Sequence, residues 1–237
     1  MMSQKEYKER EGMKKQLICA LIIAVFCVTA LAVVPNLDPA FAAKPTKWTN
    51  LQKKYQKDPK VKELVFVKYN GRNKTYLYMY KKNKKNQWKK VLSCKAYVGQ
   101  YGINKVREGD RRTPTGDFPL EQPFGILKNP GSIMPYTQVN QYLYWCGDRS
   151  HYNKMVDIRT YPHKCRGEHL KDYPKQYAYA MNIGYNPKGE WGKGSAIFLH
   201  CFGYARYTLG CVAVSKKNMK KILKTVEPGS RICIYKK

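Results

Sequence analysis

The sequence predicts a mainly β domain with one clear helix, preceded by an apolar N-terminal segment. Runs of alternating apolar and polar residues, separated by turn residues, begin at Val61, and helical spacing occurs in one stretch near the C-terminus. The 237 residues are 43% apolar and include 20 tyrosines, a composition too rich in core-forming residues for a disordered chain. We therefore expect one packed domain with a short appendage.

Residues 1–42 have the pattern of an export signal. Two lysines precede the uncharged run 17–34, and Ala40–Ala42 offers small residues for signal peptidase. An uncleaved anchor is the alternative, because an apolar run of this length can just span a bilayer. The helix breakers Pro35 and Pro39 favour cleavage after Ala42. In both cases the remaining chain is expected outside the cytoplasmic membrane, with membrane contact only if the segment is retained.

The charge is strongly basic, with 45 Lys and Arg against 16 Asp and Glu, a net charge of +29. A positive charge of this size attracts any polyanion, so it indicates an anionic partner without identifying which one. For an exported protein the expected polyanions are anionic cell-wall polymers, and nucleic acid is not expected as a partner. The composition also excludes a polytopic membrane protein, a coiled coil and a disulfide knot.

The first elements follow in chain order. Residues 43–60 are polar and basic and are predicted to form a spacer or leading arm with at most a short helical stretch. The runs VKELVFVKY and KTYLYMYKK flank Asn70-Gly71, a strong signal for a β-hairpin, and QWKKVLSCKAYVG follows the turn KNKKN as a third strand. Residues 113–127 are too rich in Pro and Gly for a helix and suit a strand with its turn.

The later elements lie on both sides of an irregular segment. Residues 129–189 lack a long periodic pattern and are rich in tyrosine. They are predicted to form a long loop that lines one side of a functional site; the alternative is that the tyrosines belong to the core. SAIFLH and Val212–Val214 have the pattern of buried strands. Ser215 is a suitable N-cap for the helix KKNMKKILKTV, which Pro228-Gly229 ends before the closing strand RICIY.

The run AIFLHCFGYARYTLGCVAVS, residues 196–215, contains the candidate chemistry. An apolar strand ends at His200, and a glycine-containing loop returns the chain to Cys211. A thiol becomes a strong nucleophile when a neighbouring imidazole takes its proton, which predicts a thiolate–imidazolium pair. Gly210 allows a tight turn that aims backbone N–H groups at a developing oxyanion. A buried thiol beside a core histidine is the alternative from spacing alone.

This run resembles the signature of the L,D-transpeptidase catalytic domain family, in which a histidine at a strand end precedes an [S/T]-x-G-C element. RRTPTGDFPLEQPFGI also resembles the K-T-P-x-G-x-F strand and turn of that family. The resemblance covers residues 61–237 and implies a sandwich-like β domain with one or more short helices. It further implies activity on peptidoglycan stem peptides, with no cofactor.

The resemblance also implies roles for particular residues. Cys211 would be the nucleophile, His200 its proton acceptor, and the Cys201 carbonyl the group that orients the imidazole. The Gly210 backbone would contribute to an oxyanion hole. The thioester formed with the third stem residue would be resolved by an amine, which makes a cross-link, or by water.

Two positions depart from the family pattern. Many members have a second histidine where this chain has Leu209, and a polar residue where it has Ala213. The balance between transfer and hydrolysis therefore stays open. A hydrolase of the same fold and a non-catalytic cationic wall-binding protein remain alternatives to the transpeptidase.

The remaining predictions concern side chains around this centre. The predicted substrate contacts lie on the His–Cys loop or in the aromatic segment, and are Thr208, Arg206, Trp145 and Tyr152. No metal site is expected, because His163-x-Cys165-x-x-x-His169 is accompanied by no C-x-x-C or H-E-x-x-H motif.

The cysteines of the exported part have several possible states. A disulfide between Cys146 and Cys165 would staple the loop that they flank. Cys94 and Cys233 are expected as buried thiols or as a second bridge. Cys201 is either inert or able to trap Cys211 in an oxidative disulfide.

Overall fold

The computed structural model describes residues 46–71 and 74–236. The predicted export signal and its cleavage site lie outside these residues. Within the described ranges, no helix has the length and apolar character needed to cross a membrane.

Two α-helices and twelve β-strands make up the regular structure of the described residues. The helices are α1 (Lys47–Gln56) and α2 (Lys216–Leu223). The strands, in chain order, are β1 (Glu63–Tyr69), β2 (Tyr76–Lys82), β3 (Trp88–Lys95), β4 (Gly116–Gly125), β5 (Thr137–Gln138), β6 (Leu143–Cys146), β7 (Lys154–Asp157), β8 (Glu168–His169), β9 (Ala180–Ile183), β10 (Phe198–Cys201), β11 (Val212–Val214) and β12 (Arg231–Lys236).

The predicted strands at both ends of the chain are confirmed. β1, β2 and β3 form an antiparallel meander, and the closing strand β12 lies parallel to β1. α2 begins where its sequence indicates, because the Ser215 hydroxyl accepts a hydrogen bond from the Asn218 N–H at 3.3 Å. The long strand β4 falls within the predicted range 113–127.

The large sheet has the order β11-β10-β9-β4-β12-β1-β2-β3, and the short β5 also pairs with β4. The chain just after β3 reaches the other end of this sheet, since Tyr97 forms a bridge with Ala213 of β11. The two halves of the curved sheet therefore face one another across the main core, which α2 completes. Core side chains come from both halves and from α2, as Val65, Met79, Leu199, Val212 and Ile222 illustrate. The predicted mainly β, sandwich-like fold is confirmed.

Helix α1 packs against the outer face of the sheet, so residues 46–60 do not form the predicted spacer. Thr46 caps the helix, accepting a hydrogen bond from the Thr49 N–H at 3.2 Å. Trp48 stacks on Phe66 with ring centroids 5.0 Å apart, and Leu51 is buried in the same cluster. The helix thereby covers the apolar face of β1 that points away from the main core.

Residues 129–189 contain a small antiparallel sheet of order β7-β6-β8 rather than an irregular loop. These strands are two to four residues long, too short to produce a periodic pattern in the sequence. The middle strand β6 buries Trp145, which packs edge-on against Phe198 of β10 with centroids 4.8 Å apart. The small sheet is therefore attached directly to the strand that carries His200.

Candidate active site

Two neighbouring parallel strands bring His200 and Cys211 to one surface. β10 and β11 pair in parallel, with Leu199 opposite Val212 and His200 opposite Ala213. Cys211 immediately precedes β11 and thus lies opposite Phe198. Because side chains alternate along a strand, His200 and Cys211 face the same side, and both line one cavity.

The imidazole of His200 is held by its own strand. Its Nδ1 donates a hydrogen bond to the Cys201 carbonyl at 2.7 Å, and the Tyr177 ring packs edge-on against it with centroids 5.8 Å apart. A carbonyl can only accept, so the neutral imidazole carries its proton on Nδ1. Nε2 is then left as the proton acceptor. The Cys201 carbonyl is thus the group that contacts the imidazole at Nδ1.

The thiol of Cys211 makes two backbone contacts. It donates to the Ala196 carbonyl at 3.2 Å and accepts from the Phe198 N–H at 3.3 Å. Both contacts fix the sulfur beside β10.

The turn before Cys211 is braced by two threonine hydroxyls. Thr208 and Thr113 both donate to the Cys211 carbonyl, at 2.6 and 3.2 Å. The Gly210 N–H donates to the Thr208 hydroxyl at 3.2 Å, so it would have to exchange this acceptor before it could bind an oxyanion. A Cβ atom on Gly210 would lie 3.0 Å from Cδ1 of Ile197 and 3.2 Å from the Arg112 carbonyl oxygen, and the φ of +155° is one that other residues rarely adopt. Thr208 also lines the cavity, but its hydroxyl serves the turn.

Two cavities meet at Cys211. The first, of about 250 Å³, contains His200 and is lined mainly by aromatic and apolar side chains, including Tyr173, Tyr177, Tyr204, Tyr207 and Leu209. The second, of about 340 Å³, is lined by charged groups, including Lys105, Glu108 and Arg111. Cys211, Leu209 and Glu168 border both cavities. Cys211 therefore lies at the junction of the two cavities.

Burial favours the neutral forms of both candidate catalytic groups. It raises the pKa of the Cys211 thiol to about 12, and the charge of Glu168 acts in the same direction. Burial lowers the pKa of His200 to about 4, although its bond to the Cys201 carbonyl favours the charged form. Burial therefore opposes the predicted thiolate–imidazolium pair in the substrate-free site and favours a thiol and a neutral imidazole.

Glu168 and Tyr177 line the first cavity, and neither was predicted from the sequence. The Tyr177 hydroxyl donates to the Glu168 carboxylate. Burial raises the pKa of Glu168, and the bond from Tyr177 opposes that shift. Glu168 reaches the site through the pairing of β8 with β6, which the sequence does not reveal. The richness in tyrosine of the segment was the only feature of the sequence that pointed to these two residues.

Three of the four predicted substrate contacts do not line either cavity at Cys211. Trp145 is buried, and its Nε1 donates to Asn153 at 3.0 Å. Tyr152 is also buried; its hydroxyl donates to Glu108 and accepts from the Gly194 N–H. Arg206 lies exposed on the His–Cys loop, between two residues that do line the first cavity. Trp145 and Tyr152 are therefore core side chains, whereas Tyr173 and Tyr177 of the same segment line the first cavity.

Cys201 is separated from Cys211 by the strand that carries it. Its side chain belongs to the main core, and its sulfur donates to the Tyr179 carbonyl at 3.4 Å. Cys211 instead belongs to the cluster on the other face of β10, together with Phe198. All six cysteines among the described residues are free thiols in the structure. Cys94 and Cys233 pack on opposite faces of the sheet, so they cannot form the second bridge.

Replacement of Cys201 by serine is expected to leave oxidative inactivation unchanged. The Cys201 sulfur lies on the far face of β10, and burial raises its pKa to about 11, so it forms little reactive thiolate. Inactivation by hydrogen peroxide, followed by residual activity and peptide mapping, should proceed at the same rate in both proteins. A 201–211 disulfide, or slower inactivation of the variant, would contradict this geometry.

Replacement of Glu168 by glutamine is expected to accelerate alkylation of Cys211 several-fold at pH 8. The substitution keeps the shape of the side chain and removes the negative charge that raises the Cys211 pKa. The measurement is the rate of iodoacetamide labelling of Cys211 by mass spectrometry. Glu121→Gln, on exposed β4 surface, is the control. Equal rates in Glu168→Gln and wild type would show that the two groups do not interact.

A family model described as the L,D-transpeptidase catalytic domain (YkuD) matches residues 62–234. The search of curated proteins found no match.

Solved structures with some similarity are much longer chains. The helical cell shape determining protein Pgp2 from Campylobacter jejuni is 16% identical, with a TM-score of 0.44, covering 79% of this chain and 55% of that one. L,D-transpeptidase 1 from Mycobacterium tuberculosis is 14% identical, with a TM-score of 0.37, covering 73% of this chain and 61% of that one. An L,D-transpeptidase from Mycobacterium smegmatis is 13% identical, with a TM-score of 0.34 and coverages of 74% and 59%. The chain spans about half the length of the Pgp2 structures, 47% and 55%.

Proposed function

Since the chain belongs to the L,D-transpeptidase catalytic domain family, we propose that it is an exported cysteine L,D-transpeptidase that cross-links peptidoglycan stem peptides. The observation that carries the proposal is the placement of Cys211 and His200 on the wall of one cavity, with Cys211 also bordering a second cavity. Acyl transfer needs a nucleophile, a proton acceptor and room for two substrates.

The first half of the proposed reaction is acylation. The Cys211 sulfur attacks the carbonyl carbon of the third stem residue while His200 Nε2 takes the thiol proton. The bond to the terminal D-residue breaks, and His200 returns the proton to the departing amine. A neutral resting pair suits this step, because the proton moves only when the substrate arrives and the charge of the oxyanion develops.

The second half is resolution of the thioester. An acceptor amine attacks the thioester carbonyl and gives its proton to His200, which passes it back to the Cys211 sulfur. One amide bond has then been exchanged for another. The departing and incoming amines use the same imidazole, so both belong in the cavity that contains His200. The acyl part of the donor peptide then occupies the charged cavity on the other side of Cys211.

The charged cavity fits a stem peptide, which carries amino and carboxylate groups. Arg111 offers a cation on its rim, and Glu168 offers an anion where the two cavities meet. Lys105 is neutralised by Asp110 at 2.8 Å and serves mainly to hold the wall. The net charge of +29 would keep the protein near anionic wall polymers, as an aid to location rather than to catalysis.

The test uses the full chain with defined disaccharide-tetrapeptides and mass spectrometry of the products. Cross-linked dimers, absent with Cys211→Ala, are the expected result. Tripeptides without dimers would replace the transpeptidase with a hydrolase of the same fold. Intact substrate, with retention of the protein on isolated cell walls, would replace it with a wall-binding protein.

A further inference from the structure

A cluster of four potential metal ligands lies in the small sheet, outside the candidate active site. Cys146 ends β6 and Asp148 follows two residues later, while His163 and Cys165 lie on the connection from β7 to β8. The ligand atoms of all four side chains lie within 4.8 Å of one another. In the sequence, His163 and Cys165 group with His169, a pattern from which no metal site is expected. The fold instead brings the pairs Cys146-x-Asp148 and His163-x-Cys165 together.

The distances within the cluster match the edges of a small coordination tetrahedron. Cys146 Sγ lies 3.3 Å from His163 Nε2 and 3.7 Å from Asp148 Oδ2. His163 Nε2 also lies 3.7 Å from Asp148 Oδ2. Zinc–ligand bonds of about 2.0–2.3 Å place the ligand atoms of a tetrahedral site about 3.3–3.8 Å apart. The three measured edges fall in that range.

The surrounding hydrogen bonds orient the ligand atoms toward one another. His163 Nδ1 donates to the Tyr161 carbonyl at 2.6 Å, which leaves the lone pair of Nε2 pointing at the cluster. The Arg166 N–H donates to Asp148 Oδ2 at 3.1 Å, and the Asp148 N–H donates to Cys146 Sγ at 3.4 Å. Backbone N–H groups that stabilise negative charge on a carboxylate and a sulfur are the usual outer partners of metal ligands.

The backbone is also shaped for a close approach of the two ligand pairs. A Cβ on Gly147, between Cys146 and Asp148, would lie 2.9 Å from the Arg166 carbonyl. A Cβ on Gly167 would lie 1.8 Å from the Trp145 carbonyl. Only glycines allow the two segments to lie this near each other.

We propose that Cys146, Asp148, His163 and Cys165 bind one structural Zn²⁺ ion. Two thiolates, an imidazole and a carboxylate form a ligand set that suits zinc. Hard cations such as Mg²⁺ and Ca²⁺ instead prefer sites made of oxygen ligands. Four protein ligands fill a tetrahedral shell and leave no position for substrate, so the ion serves structure rather than chemistry. A disulfide between Cys146 and Cys165 would account for two of the four groups and would leave the His163 and Asp148 placement unexplained.

The site would stabilise one wall of the candidate active site. Trp145, beside Cys146, packs against Phe198, and Glu168 follows Cys165 by three residues. Trp145 and Glu168 are partners in the pairing of β6 with β8. A zinc ion that joins the end of β6 to the chain entering β8 therefore holds Glu168 at Cys211 without touching the reacting atoms. The inference does not depend on which reaction the enzyme performs.

The test is the zinc content of the full chain, purified without added chelator and measured by mass spectrometry of the metal. About one zinc per chain is expected for wild type and for the control Cys94→Ser, and on the order of a tenth or less for Cys146→Ser and Cys165→Ser. X-ray absorption at the zinc edge should show two sulfur and two nitrogen or oxygen neighbours. Zinc-free wild type whose intact mass shows a Cys146–Cys165 disulfide would overturn the proposal.

A second measurement covers variants that fail to fold. The reduced, metal-stripped full chain is titrated with Co²⁺, which gives intense visible bands only in tetrahedral thiolate sites. Wild type and Cys94→Ser should give these bands with saturation near one equivalent, and added Zn²⁺ should displace them. Absence of the bands from reduced wild type, or their full persistence in His163→Ala together with Asp148→Asn, would show that the cluster is not the site.

Discussion

Replacement of Cys211 by alanine is expected to abolish turnover, with a loss on the order of 10⁴-fold or more. Cys211 is the residue at which both cavities meet, and no other cysteine of the described residues lines either of them. Without its sulfur no thioester forms, and covalent labelling by a carbapenem-type acylating agent should disappear as well. Product formation and intact mass after exposure to the agent are the two measurements.

Serine at position 211 should be almost as inactive as alanine. Burial already makes the thiol hard to ionise, and an alcohol loses its proton far less readily than a thiol. Cys94→Ser is the matched control, because Cys94 lies on β3 and borders neither cavity at Cys211. It should alter stability and leave turnover close to wild type. Wild-type turnover in Cys211→Ala, with the variant folded, would show that the mechanism is wrong.

The strands that were predicted correctly are those whose own residues carry the signal. β1 and β2 are runs rich in apolar and aromatic residues on either side of Asn70-Gly71, and α2 has an N-cap followed by apolar residues at helical spacing. The glycine before Cys211 and the apolar run before His200 likewise predict a turn and a strand from adjacent residues alone. These features depend on neighbours in sequence, so the sequence is sufficient to predict them.

Features that depend on distant partners were missed. α1 was taken for a spacer, because only Leu51 and Tyr55 among its ten residues are buried, and their partners lie on β1 and β12. Glu168 reaches Cys211 through the pairing of a two-residue strand with β6. Trp145 and Tyr152 were chosen as ligand contacts because they lie in the aromatic segment, but composition does not distinguish a buried ring from one that faces a cavity.

The charge state of the catalytic pair also depends on the fold. A cysteine and a histidine brought together suggest an ion pair, because a neighbouring imidazolium lowers the pKa of a thiol. In the structure both groups are nearly enclosed, and burial disfavours the charged form of each. The residue types indicate the chemistry. The desolvation of the thiol and imidazole, which favours their neutral forms, results from the packing of Phe198 and Tyr177 around them.

Replacement of His200 by alanine is expected to lower the acylation rate by about 10²–10⁴-fold at pH 7, the usual contribution of a general base. Wild-type acylation should rise as His200 loses its proton, near pH 4, and then stay level through neutral pH, because the neutral imidazole is the active form. The variant lacks this acceptor and depends on the rare thiolate of Cys211, whose pKa burial raises to about 12. Its rate should therefore increase about tenfold per pH unit from pH 7 to 10.

The acylation rate with a carbapenem-type agent, measured by stopped-flow across this pH range, is the readout for this prediction. The control is His151→Ala, since His151 borders neither cavity at Cys211, and its pH profile should match wild type. Nitrogen-15 NMR of wild type at pH 7 should show His200 neutral, with the proton on Nδ1, because that atom donates to the Cys201 carbonyl. An imidazolium signal at pH 7, together with alkylation of Cys211 that does not change between pH 6 and 9, would establish the ion pair instead. His200 would then act by stabilising a thiolate that exists before substrate binds, and the variant would be slow because burial keeps its thiol protonated.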